Sequence, residues 1–440
     1  MRRLDNNANE AVVREAAARA NILGMTPRRW RLVRIFETVA RLFLALGPSP
    51  RRMEGGKVCP DTILVIEYWG LGDLALLVPF LRNLRQSFPK ARISLLFNAI
   101  LPCFLEGQGI VDEFLPVRVP WAQHFRRWKK YNPFSRDWIS FARTLLSLRR
   151  HRFDWAVSGR MDVRDNLIMW LSGARRRIGY GVGGGAFFLT DRVAPDLSRP
   201  HRADAWLHLL KAVSALADPK LNYLRLTQAD RVQARTFLLA RGIPPEGVLI
   251  GVHPGARSAT RRWGNERFAE VAQRLLRESG THILWFSEPG DSAQAPLMER
   301  CHAVSVSFRL FLAMLSQCRL LVCNDSGPMH LANLLGVPIV AIFGPQRPES
   351  FGPRGERDRV VIRPEFSCRP CFDYCIFDQP YCLRAISEDE VYHAAESVLQ
   401  QLTYAKTGQK GAVYEDVTNN GELDRRSTEF LRQHFAPEHR

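Results

Sequence analysis

The sequence predicts an α/β chain of two doubly wound domains facing a cleft. Three observations predict it. Short runs of apolar and β-branched residues alternate with stretches of helical periodicity along most of the chain. Two of the strands, near 62 and 248, open onto glycine-bearing loops. The 440 residues are 46% hydrophobic and 24% charged, an ordinary globular composition that excludes wholesale disorder, collagen-like and coiled-coil architectures.

The first half opens at Thr62-Ile-Leu-Val-Ile, a strand buried on both faces by its unbroken apolar run. Gly70-Leu-Gly-Asp73 follows, then a helix through Leu84. Pro89-Lys90 ends that stretch, and Ala91-Arg-Ile-Ser-Leu-Leu-Phe is the next strand. Strand, helix and strand with short links make a βαβ unit. Trp155-Ala-Val-Ser and Arg177-Ile-Gly-Tyr are later strands of the same half. The second half opens at Val248-Leu-Ile-Gly-Val-His-Pro-Gly. Helix 266–278, strand 282–287, helix 309–316, strand 320–323, helix 329–335 and strand 338–343 follow, and a helix over 388–402 closes it. The expected organisation is an N-terminal extension at 1–60, a first domain at 61–235, a second at 236–404 and a polar tail at 405–440 that is expected to be disordered.

Lys and Arg number 62 against 44 Asp and Glu, giving a net charge of +18 that points to a polyanionic partner. Residues 1–60 hold 12 Lys/Arg and 5 Asp/Glu, a net of +7. Within them Trp30, Val33, Phe36, Val39 and Phe43 recur at helical spacing, with Arg28, Arg31, Arg34 and Arg41 between. Such a helix either lies on an anionic membrane surface or packs on the protein's own core. Gly47-Pro48-Ser49-Pro50 reads as a linker. No segment reaches the ~18 apolar residues of a membrane span, and the polar text after Met1-Arg2-Arg3 is no secretory signal. Nine scattered cysteines without an export signal suggest a reducing, cytoplasmic setting.

Four clusters carry chemistry. In Gly70-Leu-Gly-Asp73 a strand gives way to a helix, where open α/β sheets bind ligands. Asp73 there either caps the helix or, facing the cleft, acts as general base. Asn324-Asp-Ser-Gly-Pro-Met-His330 follows the strand at 320–323. Asp325 or Ser326 can cap its helix, Pro328 suits the helix start and Gly336 its end. The free N–H groups of that start suit a phosphate or diphosphate. His253-Pro-Gly-Ala256 with Ser258, Thr260, Arg261 and Arg262 is either a phosphate-binding loop or a basic surface loop. Cys368-x2-Cys371-x3-Cys375-x6-Cys382 is either a four-thiolate zinc site or a set of buried reduced thiols. Gly181-Val-Gly-Gly-Gly185 is a flexible loop or a mobile acceptor loop.

Taken together these blocks resemble glycosyltransferase family 9, the ADP-heptose:lipopolysaccharide heptosyltransferases. The similar text is Ile63-Leu-Val-Ile with Gly70-Leu-Gly-Asp73; Gly251-Val-His-Pro-Gly-Ala with Arg261-Arg-Trp-Gly-Asn-Glu-Arg-Phe-Ala; Asp325-Ser-Gly-Pro-Met-His-Leu-Ala with Gly336-Val-Pro-Ile-Val-Ala-Ile-Phe-Gly-Pro; and Cys368-x2-Cys371 with Cys382-Leu-Arg-Ala-Ile. It runs from about residue 61 to 402. The resemblance implies a GT-B fold of two Rossmann-like domains, the acceptor on the first and the nucleotide sugar on the second. It implies an inverting transfer that requires no metal cofactor, with Asp73 as catalytic base. The donor set it implies, with the clusters above, is Gly72, His253, Thr260, Arg261, Glu288, Asp325, Ser326, Gly327 and His330. Arg261 stands where the family often has Lys. Ser287-Glu-Pro-Gly-Asp291 departs from the family's usual Gly-Gly-Pro. ADP-heptose is the favoured donor and a phosphorylated glycolipid of the lipopolysaccharide core the expected acceptor, met on the inner face of an anionic membrane. Two other classes fit parts of the sequence: a nucleotide-sugar epimerase of the same fold, and a basic nucleic-acid-binding protein, against which no RNA-binding signature is present.

Overall fold

The computed structural model describes residues 31, 33–35, 37–38, 59–122, 132, 134–287 and 295–408. The linker at 47–50, most of the N-terminal apolar stripe and the tail from 409 lie outside the described residues. Two compact units are distinguished, and their boundary between Leu399 and Gln400 falls inside the last helix.

The unit up to Leu399 is built on two parallel sheets. The first holds β1 (Thr62–Ile66), β2 (Arg92–Asn98), β3 (Glu113–Val117), β4 (Trp155–Ser158), β5 (Arg176–Tyr180) and β6 (Asp191–Val193), in the order β3-β2-β1-β4-β5-β6. The second holds β7 (Val248–His253), β8 (Thr281–Phe286), β9 (Cys301–Val304), β10 (Leu320–Asn324), β11 (Ile339–Phe343) and β12 (Arg359–Ile362), in the order β12-β11-β10-β7-β8-β9. Each is the doubly wound order, with its topological switch between β1 and β4 or between β7 and β10. The central strands are apolar throughout because helices cover both faces: Ile63, Leu64, Val65 and Ile66 are all 0% exposed. The GT-B arrangement is thus present.

The helices are α1 (Leu71–Ser87), α2 (Arg136–Leu148), α3 (Val163–Leu171), α4 (Arg202–Leu209), α5 (Gln228–Leu239), α6 (Asn265–Leu275), α7 (Phe308–Leu315), α8 (Gly327–Leu334), two short turns at Pro348–Phe351 and Tyr381–Arg384, and a last helix over Glu388–Gly408. The expected boundary at 235 cuts through α5. That helix packs on α7, and Arg309 pairs with Asp230 at 2.6 Å, so α5 goes with the second sheet. The chain passes between the halves earlier, where the Leu224 N–H donates to the Leu334 carbonyl at 2.9 Å. None of the described helices is long and apolar enough to cross a membrane.

Of the N-terminal helix, the described residues 31, 33–35, 37 and 38 are helical. A Cβ on Gly184 would stand 2.5 Å from Val33, and Glu37 accepts the Gly185 N–H at 2.7 Å. At these residues the helix rests on the protein. Trp30, Phe36, Val39 and Phe43 lie outside the described residues.

His201 joins the halves. It caps α4, its Nδ1 accepting the Ala203 N–H, while Nε2 donates to the Gly352 carbonyl at 3.0 Å. Burial, helped by the Arg354 charge, lowers its pKa to about 4. A histidine with a depressed folded pKa contributes stability above its unfolded pKa, about 6.5, that is lost as pH falls toward 4. His201→Asn keeps a capping side chain but removes this titration. Wild type should therefore melt above the variant at pH 7.5, and the gap should narrow by pH 4.5, with about 3 kcal/mol as the upper scale. A gap that stays constant with pH in thermal melts would remove His201 from this role.

Candidate active site

The two switch points build the site. At the first, β1 runs into Glu67, Tyr68 and Trp69 and α1 begins at Leu71. Its N-cap is Gly70, with extended backbone and no side-chain cap. Asp73 is therefore the third helical residue and does not cap. Its Oδ1 accepts from Nη2 of Arg160 instead. Arg160 comes from the neighbouring strand: β4 ends at Ser158, and Gly159 then passes beneath the fully buried Trp206, where a Cβ would stand 2.5 Å from the indole. The next residue is thereby delivered to the cleft. Nε of Arg160 donates to the two oxygens of Glu67 at 3.1 and 3.4 Å. Glu67 is 0% exposed. Burial pushes its carboxyl up to about 7 against the pull of Arg160, and the nearby Asp73 charge adds to the push.

At the second switch point Asn324 ties two loops together: its Oδ1 accepts the Trp263 N–H at 3.2 Å, and its Nδ2 donates to the Pro254 carbonyl at 2.6 Å. α8 then starts with Ser326 as an extended N-cap and Pro328 in its first turn. Neither Asp325 nor Ser326 performs the capping the sequence allowed. Ser326 makes no side-chain cap bond, and the buried Ser326 Oγ and Asp325 Oδ2 have no hydrogen-bond partner among the described residues. Gly336, at φ +72°, ends the helix in the left-handed conformation as expected. Uncapped N–H groups at this helix start, with the Ser326 hydroxyl beside them, form a place for a polar, anionic group.

Arg261 borders that start. Its Nε and Nη2 donate to the two oxygens of Asp373 at 2.7 and 2.6 Å, and its Nη1 lies 3.3 Å from Asp325 Oδ2. Thr260 Oγ1 and Gln346 Nε2 also donate to Asp373, each at 3.3 Å. Asp373 projects from the cysteine segment with φ +70°. Asp325, 3% exposed, has its carboxyl pushed up to about 6 by burial, opposed by Arg261 and reinforced by Asp373 and Asp73.

The switch points meet where α1 crosses α8. A Cβ on Gly327 would stand 3.1 Å from Leu71, and one on Gly72 would stand 2.5 Å from the His330 ring. Gly72 leaves the His330 ring its place and Gly327 eases the contact with Leu71, and the approach sets the Asp73 turn beside the α8 start. His330 is buried, which lowers its pKa to about 4 and keeps the ring neutral at neutral pH. Arg257 spans the cleft, donating to the Ala122 carbonyl at 2.9 Å. A cavity of about 510 Å³ opens on the flank of the crossing, with His201, His330 and Asn333 in its wall.

Gly72, His253, Thr260, Arg261, Asp325, Ser326, Gly327 and His330 thus gather at the switch points or the crossing between them. Glu288 lies outside the described residues. Cys368, Cys371, Cys375 and Cys382 are free thiols on the segment that carries Asp373. Among the described residues no group of three or more His, Cys, Asp or Glu side chains stands ready to hold a metal ion. The glycine loop is neither open nor loose. Asn166 Nδ2 donates to the Tyr180 and Gly184 carbonyls at 3.0 and 2.8 Å, and a Cβ on Gly183 would stand 1.9 Å from the Met161 carbonyl oxygen. Glu67, Arg160, Arg257 and Asp373 were missed as site residues. The one signal toward the first two is the doubly wound order, which makes β4 the neighbour of β1, and it does not pick out the pair.

Two facing doubly wound sheets, with a carboxylate at one switch point and a cation and open helix start at the other, are a GT-B fold with its cleft lined for an anionic ligand. Residues 141–381, more than half the chain, match the family described as glycosyltransferase family 9 (heptosyltransferase), and the chain belongs to that family. It is 26% identical over 322 residues to lipopolysaccharide heptosyltransferase 2 of Salmonella typhimurium, covering 68% of this chain and 87% of that protein. The family 9 glycosyltransferase structure from Veillonella parvula superposes with a TM-score of 0.61 at 26% identity, covering 78% of this chain and 99% of the other. The E. coli ADP-heptose lipopolysaccharide heptosyltransferase II structure shares the fold, with a TM-score of 0.59 at 21% identity and the same coverage.

Proposed function

We propose that this glycosyltransferase moves heptose from ADP-heptose onto a lipopolysaccharide-core or similar phosphorylated glycolipid, inverting the anomeric centre and requiring no metal cofactor. The names of its relatives support the sugar and the acceptor. The observation that carries the reading is the α1–α8 crossing, which puts Asp73 beside the open helix start and Arg261.

The chemistry follows from those parts. An acceptor hydroxyl gives its proton to Asp73 as its oxygen bonds to the anomeric carbon. The bond from that carbon to the diphosphate breaks on the opposite face through an oxocarbenium-like state. The bonding pair leaves on the diphosphate, where Arg261 and the N–H groups at Ser326–Gly327 meet the new charge. Asp373 and Asp325 keep Arg261 aimed until phosphate oxygens share it. Thermal shift against ADP-, UDP-, GDP- and dTDP-sugars tests the donor. The largest stabilisation should come from the ADP-sugar, and preference for another base would overturn that assignment.

The enzyme works peripherally on the inner, anionic face of the membrane in this reading, through the basic N-terminal stripe. Deleting residues 1–50 should release the protein from anionic vesicles and spare activity on a short soluble acceptor. Binding by full-length protein should weaken with salt, since exposed charges are screened beyond about 8–10 Å at physiological strength. Equal co-sedimentation of both forms would sink the idea. An insoluble truncation would favour the alternative in which the helix packs on the core, as Val33 and Glu37 already do.

A further inference from the structure

The guanidinium of Arg160 is shared between two carboxylates of unlike surroundings. Glu67, at 0% exposure, takes the Nε edge, and Asp73, 21% exposed at the cleft, takes Nη2. Further contacts fix the arrangement. The Trp69 N–H donates to Glu67 Oε1 at 3.3 Å, the Arg160 N–H donates to Ser158 Oγ at 3.2 Å, and the guanidinium carbon lies 4.8 Å from the Trp69 ring centre. Arg160 cannot turn away without leaving the buried Glu67 without its cation, which is costly in a dry site. The other oxygen of Asp73, Oδ2, accepts no hydrogen bond from the described residues. It lies over Gly70, where a Cβ would stand only 3.0 Å away.

We propose that Arg160, anchored by Glu67, is the positioning residue of this site, holding Oδ1 of Asp73 so that Oδ2 alone is presented to the acceptor hydroxyl. This rests on Asp73 being the base. An unpinned carboxylate rotates freely about its last torsion, so either oxygen, in many directions, could meet the hydroxyl. Pinning one oxygen converts that spread into a single approach, the kind of pre-orientation whose loss costs rate and not binding. Arg202 and Asp165 also face Glu67, and Arg257, Arg261, Asp325 and His330 face Asp73 from the second half.

The test is initial-rate kinetics on Arg160→Gln, Arg160→Lys and Glu67→Gln, with nucleotide affinity by calorimetry on the same preparations. Arg160→Gln should lower kcat about 10- to 100-fold and leave the acceptor KM and nucleotide affinity nearly unchanged. Glu67→Gln loosens the anchor of that cation and should lower kcat in the same direction by a smaller factor. Arg160→Lys keeps the charge without the two-edged fork and should not recover kcat. If Arg160→Gln does not fold, the Glu67→Gln/Arg160→Gln double variant, which removes the cation and its buried carboxylate together, should show the same loss of kcat. Wild-type kcat in the Arg160 variants, alongside an inactive Asp73→Asn, would overturn the positioning role and leave the base role standing. An active Asp73→Asn would overturn the base role itself.

Discussion

Asp73→Asn should lower turnover by at least about 100-fold, the range of general-base catalysis, while donor affinity stays close to wild type. The substitution is isosteric and removes the charge and basicity of one side chain. Asp73 is not a helix cap, so α1 keeps its hydrogen bonds and loses only a small favourable charge at its start. The donor contacts sit on the other switch point and are not touched. The asparagine can still accept from Arg160 through its carbonyl oxygen, so the cation remains paired with Glu67 and the local fold persists. Turnover and nucleotide affinity measured on one preparation separate chemistry from binding. A variant that turns over near normally would take Asp73 out of the base role.

Arg261→Ala should weaken binding of the free nucleoside diphosphate as well as of the donor, because the diphosphate is common to both. A hydrogen bond to a charged group is worth about 1.5–3 kcal/mol, or roughly 10- to 150-fold in affinity. The variant also strands two carboxylates. Asp325 is buried, and Asp373 loses both of its closest ion-pair contacts. Melting temperature should fall together with affinity, so both are measured. Arg261→Lys restores a charge but cannot span both oxygens of Asp373, and should recover stability better than nucleotide affinity. Calorimetry with ADP is the direct readout. Unchanged affinity in the alanine variant would place Arg261 outside the phosphate site.

The central strands were legible because they are buried on both faces. β1, β2, β4, β5, β7, β8, β10 and β11 each read as short apolar runs, and most of their expected bounds lie within a residue or two of the structure. The strands left unread are β3, β6, β9 and β12, the edges of the two sheets. Glu113-Phe-Leu-Pro-Val carries a proline, Asp191-Arg-Val is three residues long, and the four residues of β12 are all half-buried. An edge strand needs no unbroken apolar run, so a search for one passes over it. Asp73, Arg261 and the 325–330 block were legible because each follows a central strand in a local motif. Glu67, Arg160 and Asp373 were not, because their meaning is a contact: Arg160 meets Glu67 across 93 positions, and Asp373 meets Arg261 across 112. The capping roles offered for Asp325 and Ser326 failed for an instructive reason. The residue types are right for a cap, but Ser326 makes no cap bond and Asp325 faces the Arg261 cation instead. Glycines 183 to 185 read as freedom in sequence, and they are there because Met161, Val163 and Val33 leave no space for a Cβ.

The most direct measurement is the structure of the product, by NMR of the new glycosidic bond formed from ADP-heptose and a soluble lipopolysaccharide-core acceptor. The account predicts a bond of anomeric configuration opposite to the donor's, formed only when donor and acceptor are both present, undiminished by chelator and absent with Asp73→Asn. A product of retained configuration, or a sugar epimerised or released with no acceptor present, would contradict it.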